Sequence, residues 1–180
     1  FVFIDTEGNV SCPTAEMRKE LLSAHVYRRW LSCGTLQAVT NYSLVCITSE
    51  SVYAPVILPF LTQYTRLACF ALVQRASLIK FQADAALLSA HIQNPKKKIS
   101  TQNIIALNKL QERFVAFQSQ LNLFEVTAQE QGCELYGMLR EFLFVDKQRE
   151  ALQNQLDALY SAANTALDTN FNKWAAIFAL

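Results

Sequence analysis

Glycine and proline are scarce in this chain, four of each in 180 residues, so little in it forbids long helices. That scarcity also argues against a glycine-rich phosphate loop. Histidine occurs only as His25 and His91. Neither has a Cys, Ser or carboxylate at a recognisable catalytic spacing, which leaves no candidate catalytic residue and points away from an enzyme. The five cysteines (Cys12, Cys33, Cys46, Cys69 and Cys133) are odd in number and never form a C-x-x-C pair. They read as reduced, mostly buried thiols in a cytosolic compartment, and supply neither a disulfide frame nor a zinc site. Charge is also sparse: 17% of residues, net +1. No basic cluster marks a nucleic-acid partner, and no basic n-region opens a signal peptide. What the chain has in quantity is apolar residues, 52%, enough for one sizeable core or two small ones.

The start, "FVFIDTEGNVSC", reads as a strand, a turn at Glu7-Gly8-Asn9 and a short returning strand. Pro13, Thr14 and Glu16 make a helix start, and the helix is expected to run through "AEMRKELLSAHVYRRWLSC" to Gly34. "TLQAVTNYSLVCIT" is rich in β-branched and aromatic residues, with "LVCI" as a strand buried on both faces, and Ser49 and Ser51 as caps for the segment after it. The next stretch, from Ser51 to Gln93, is the most apolar. A bilayer helix needs ~20 nearly uncharged residues, whereas Pro55, Pro59, Arg66 and Arg75 interrupt this one. It is therefore expected to be a helix buried inside the protein. "NPKKKIST" reads as a solvated linker. From Ser100 there is no proline, so the remainder is expected to be helical. The resulting fold class is α+β and predominantly α. Residues 1–95 form a mixed α/β portion and 96–180 a stalk-like helical portion.

In the last helix, Val145, Arg149, Leu152, Leu156, Tyr160, Ala163, Leu167, Phe171, Trp174 and Phe178 form an apolar stripe. Its nine steps cover 33 residues, about 3.67 per turn, which is an eleven-residue repeat. One residue over lies a second stripe: Asp146, Glu150, Gln153, Asp157, Ser161, Asn164, Asp168 and Asn172, with no Lys or Arg. It reads either as a solvated face or, if parallel copies surround an axis, as carboxylate and amide rings that attract cations. Asp157, Asn164, Asp168 and Asn172 are the candidate ion-facing residues. From Trp174 onward apolar residues occupy the whole helix circumference, and Lys173 and Trp174 stand where membrane-interface anchors stand. Both ends are expected to be cuts in a longer protein, the C-terminal one just before a membrane span.

Three segments, "RRWLSCGTLQAVTNYSLVCIT", "YTRLACFALVQRASLIKF" and "FEVTAQEQGCELYGMLREFL", together with the helix after them, resemble bacterial CorA-like membrane proteins. The resemblance covers roughly residues 25 to 180 and implies a cytoplasmic α/β domain feeding a long stalk helix that enters the first membrane span. It further implies a homopentamer in the bacterial inner membrane, this segment on the cytoplasmic side, with Mg²⁺ or another divalent cation as transported or regulatory ion and no covalent cofactor. The family signature Tyr-Gly-Met-Asn is absent. Tyr136-Gly137-Met138 is followed by Leu139 and lies in an amphipathic helix, and no family metal-site residue carries over. The alternative is a helical scaffold or interaction domain without transport activity.

Overall fold

The computed structural model of the chain describes residues 14–92, 100–123 and 125–178, with side chains up to residue 168. It is predominantly α with one small antiparallel sheet, as the composition leads one to expect. The strand pair expected in residues 1–12 lies outside the described residues. Two compact units interleave along the sequence: residues 1–72 with 124–143, and 73–123 with 144–180.

In the first unit, helix α1 (Ala15–His25) stops well before Gly34. Val26 and Tyr27, both strand-forming residues, become strand β1 and pair antiparallel with Ala38 and Gln37 of strand β2 (Thr35–Val39). Tertiary pairing overrides the helical pattern here. Gly34 does adopt the left-handed conformation, φ 77°, but it closes a short 3-10 turn, Leu31–Cys33. A Cβ at Gly34 would stand 2.6 Å from Ser49 Oγ, so the position requires glycine twice over.

The β-prone segment 35–48 holds the strand expected at "LVCI" and a second strand before it, as a hairpin. Thr40 Oγ1 accepts hydrogen bonds from the backbone N–H of Tyr42 (3.1 Å) and Ser43 (3.0 Å), which reverses the chain into strand β3 (Leu44–Thr48). The sheet order is β1-β2-β3, so β2 is central and the expected "LVCI" core lies at the edge. Ile47 is 63% exposed, whereas Val39 is fully buried. Ser49 precedes the next 3-10 turn (Glu50–Val52) without a side-chain capping bond; its hydroxyl lies 3.1 Å from that of Ser51.

Helix α2 (Tyr53–Pro59), a π turn (Phe60–Tyr64) and helix α3 (Thr65–Ile92) follow without interruption. Pro59 has no N–H to return to the preceding turn, and the helix widens immediately after it. Thr62 and Thr65 hydroxyls donate to the Leu58 and Phe60 carbonyls at 2.7 and 2.9 Å, supporting the widened turn. The prolines therefore bend the hydrogen-bond pattern without ending the helix. Nor is this helix buried as expected: only 11% of its most apolar window is inside the protein, and by length and composition alone Glu50–Ile92 suffices to cross a membrane. Burial is confined to one side, at Tyr64, Ala71, Gln74, Leu78, Phe81, Ala85 and Ile92. From Ala71 these residues keep the three-and-four spacing of a packed helix seam.

Among the described residues the tail after Ser100 is helical, as expected, and divides into three helices. Helix α4 (Thr101–Gln120) is capped by Ser100, whose side chain accepts from Asn103 N at 3.2 Å. Residues 121–123 and 125–129 are non-helical; helix α5 (Glu130–Phe142) joins the first unit and helix α6 (Val145–Phe178) the second. Between them Phe144 takes φ 55°, an uncommon conformation for an aromatic residue. At the start of α5, a Cβ on Gly132 would stand 2.7 Å from Thr127 Cγ2, so glycine permits the close approach of the preceding loop.

The core of the second unit joins α3, α4 and α6. Phe81 meets Phe114 and Phe117 edge-on at 5.6 Å, and Phe114 stacks with Phe117 at 6.3 Å. Gln74 Nε2 donates to the Leu121 carbonyl at 2.5 Å, satisfying a fully buried side chain. Among the described side chains of α6 the buried residues are Val145, Leu152, Leu156, Leu159 and Ala163. Leu159 replaces Tyr160 in the seam and Leu167 is 42% exposed, so burial follows the 3.6-residue period of a straight helix and departs from the eleven-residue stripe. Tyr160 instead turns its hydroxyl to Asn108 Oδ1 at 3.0 Å. The cysteines are less buried than expected: Cys33 and Cys69 are exposed, Cys46 and Cys133 half-buried, and Cys12 lies outside the described residues. Cys33 falls in the 3-10 turn and Cys69 faces away from the α3 seam.

Candidate functional site

Most described members of the α6 stripe are on the surface, while Asp146 and Gln153 are half-buried. Glu150, Asp157, Ser161, Asn164 and Asp168 are all exposed, since one residue over from the buried seam is a turn of about 100° around the helix. Asp157 Oδ1 accepts from Gln153 Nε2 at 3.0 Å, and Gln153 Oε1 lies 3.4 Å from Gln118 Nε2 of α4. Asp168 stands eleven residues on, about 16 Å along the axis. Asn172, Lys173 and Trp174 continue the α6 backbone, but their side chains lie outside the described residues. Among the described residues no group of three or more His, Cys, Asp or Glu converges as a metal site. Among the described residues the stripe gathers carboxylates and amides along one helix without a chelating cluster. Arg149, the charged member of the apolar stripe, has its Nε buried without a hydrogen-bond partner.

The densest polar cluster is in the first unit, where the segment from β1 to the 3-10 turn lies against α5. Arg29 donates to Glu134 Oε1 at 3.0 Å and also to Glu130, and Tyr27 donates to Glu134. The two donors hold the Glu134 carboxyl below its ordinary range. Burial, followed by the hydrogen bond to Glu134, pushes the Tyr27 phenol up to about 12. With two carboxylates already on its guanidinium, Arg29 is not an open anion site; Arg28 beside it is exposed. The neighbouring cleft of about 580 Å³ is wide and is lined by Tyr27, Arg28, Glu134 and Met138 among others.

Next to this clamp, Trp30 Nε1 donates to Gln131 Oε1 at 2.7 Å, and Gln131 Nε2 donates to the Tyr64 hydroxyl. These side chains border a second cleft of about 300 Å³, with Pro55, Pro59 and Gln37. Tyr64 is 3% exposed and Gln37 5%. Burial raises the Tyr64 phenol above its usual value. The α5 partners of Tyr27, Arg29 and Trp30 lie 101 to 107 residues away in the sequence, a pairing that no local pattern signals. His25 Nδ1 lies 2.7 Å from the Val39 carbonyl with its ring stacked on Phe142, and His91 is an exposed residue of α3. Tyr136 and Gly137 lie within α5, Tyr136 fully buried. No protein-family model, no curated protein and no solved structure matches this chain.

Proposed function

We propose that the chain is the cytoplasmic part of a CorA-like transporter or channel for divalent metal ions such as Mg²⁺. It would act as a homo-oligomer, a pentamer by the family resemblance, at the bacterial inner membrane. The observation that carries this reading is α6. It is a single unbroken helix of 34 residues, about 51 Å long at ~1.5 Å per residue. One side packs into its own unit; another presents acids and amides without a cation. Parallel copies about an axis would stack Asp157 and Asp168 as two acidic rings, with Asn164 between them. Such rings concentrate hydrated divalent cations through field strength and need no chelating cluster within one chain. The test is to reconstitute the full-length polypeptide in liposomes and follow Mg²⁺ entry with an encapsulated indicator. Flux above that of empty liposomes is expected. Its absence from folded, membrane-inserted protein, for Mg²⁺ and for other divalent ions alike, would overturn the reading.

A helical interaction domain without transport activity is the second reading. It is favoured by Val73, Ile79 and Leu87, which stand 50, 50 and 67% exposed on the α3 portion of the second unit. In that case a partner protein would protect these three residues from solvent and the full-length protein would carry no ion flux.

A further inference from the structure

The cleft between Trp30 and Tyr64 takes none of its lining from α6, and its chemistry is narrow. Its rings are one indole, one phenol and two pyrrolidines, from Trp30, Tyr64, Pro55 and Pro59. Its polar groups come from Gln131, Gln37 and a threonine, and no Lys, Arg, Asp or Glu lines it. A charged ligand would be desolvated there with nothing to compensate it. The volume, about 300 Å³, is at the lower end of ligand clefts.

The direction of the hydrogen bonds narrows the ligand further. An indole N–H can only donate, so Gln131 must turn its oxygen to Trp30 and its amide N–H₂ to Tyr64. The Tyr64 oxygen is thus occupied as an acceptor, and its proton is the free end of the relay. Within the described residues no acceptor takes that proton. A polarised chain that ends on a donor inside a largely buried site calls for a carbonyl. The same relay fixes the indole plane as a wall, which lowers the cost of ordering it on binding.

We propose that this cleft binds a proline-rich segment of a partner protein in the polyproline II conformation. That conformation has no internal hydrogen bonds and leaves its carbonyls outward; proline adds ring surface and contributes no N–H. A proline-rich segment therefore presents uncharged rings and acceptors only, matching uncharged rings and a terminal donor. Aromatic-lined grooves recognise such segments by this complementarity. The assignment is independent of ion transport and stands or falls separately.

The test is calorimetric titration of acetylated, amidated octaproline into the 180-residue chain, with a Gly-Ser peptide of equal length as control. Saturable one-to-one binding of octaproline is expected. Trp30→Ala should weaken it by about tenfold or more, since aromatic anchors dominate such contacts. Tyr64→Phe keeps the ring and removes only the donor, and should weaken binding by about three- to tenfold, the worth of one hydrogen bond. Circular dichroism of both variants separates lost binding from lost folding, and Tyr64→Phe preserves the buried shape. No saturable heat at millimolar peptide would overturn the proposal, as would binding unchanged in both variants. Equal affinity for the Gly-Ser control would make the contact non-specific and would also overturn it. If N-acetylprolinamide binds as tightly as octaproline, the cleft takes a small amide and the peptide assignment is wrong.

Discussion

Phe114 offers the sharpest check on the second unit. Its side chain is fully buried, with Phe81 at 5.6 Å edge-on and Phe117 stacked at 6.3 Å. Phe114→Ala removes the ring's transfer free energy, leaves a cavity between α3 and α4, and ends two aromatic contacts. Phe-to-Ala changes at such sites cost about 3–5 kcal/mol, cavity included. Each aromatic pair carries about 0.5–1.5 kcal/mol of that beyond area burial. With two pairs lost, about 4 kcal/mol is expected, a large share of the roughly 5–15 kcal/mol that holds a typical domain folded. Urea unfolding followed by circular dichroism should show a lower midpoint with little change in slope. The adjacent Val115 is 50% exposed, so Val115→Ala should cost under about 1 kcal/mol. A Phe114→Ala loss below about 1 kcal/mol, or a Val115→Ala loss equal to it, would refute this placement of the core.

Gly34→Ala must carry a left-handed backbone and push its Cβ against Ser49 Oγ; the strain alone is about 1–2 kcal/mol. Adding Ser49→Ala should recover the steric part and leave the backbone part, as measured by a double-mutant cycle in urea. The Tyr27–Glu134–Arg29 clamp should make stability depend on pH at both extremes. Glu134 is held below its ordinary value of 4.5, so its contribution is full above that value and is lost as pH falls through the lower folded value. Tyr27 is held above 10.0, at about 12, so the folded state retains the proton longer and stability declines as pH rises between those values. Glu134→Gln should flatten the acid limb of thermal stability against pH; an unchanged acid limb would mean the clamp contributes nothing.

Local patterns were legible where they coincided with burial. The unbroken α6 helix and its polar face follow from the spacing of Leu152, Leu156 and Ala163, and from the lack of a helix breaker after Gly137. Gly34 was legible as a left-handed residue, though not as the end of a 3-10 turn. What the sequence concealed depended on partners far away in the chain. Val26 and Tyr27 fit a helical stripe as well as a strand, and only pairing with Ala38 and Gln37 decides between them. "TNYS" carries no glycine, so a turn held by the Thr40 hydroxyl gave a weak signal. The break between α5 and α6 was legible: the last helix begins at Val145, the first member of the apolar stripe, directly after Phe144 with its φ of 55°. The helix expected past Pro59 does continue, by way of a π turn and threonine hydroxyls that the sequence did not signal. The acids of the α6 stripe were visible in sequence. The Trp30–Gln131–Tyr64 relay was not, since its members are separated by 101 and 67 residues.

The most direct measurement of the central claim is divalent-ion flux through the full-length protein carrying Asp157→Asn and Asp168→Asn together. Both side chains are exposed, so the change should leave folding intact, as circular dichroism would verify. If α6 lines an ion path, Mg²⁺ flux in liposomes should fall and the preference for divalent over monovalent cations should weaken, because two acidic rings lose their charge. Flux and selectivity equal to the unaltered protein's would contradict the account and leave the α6 stripe as a solvated helix face.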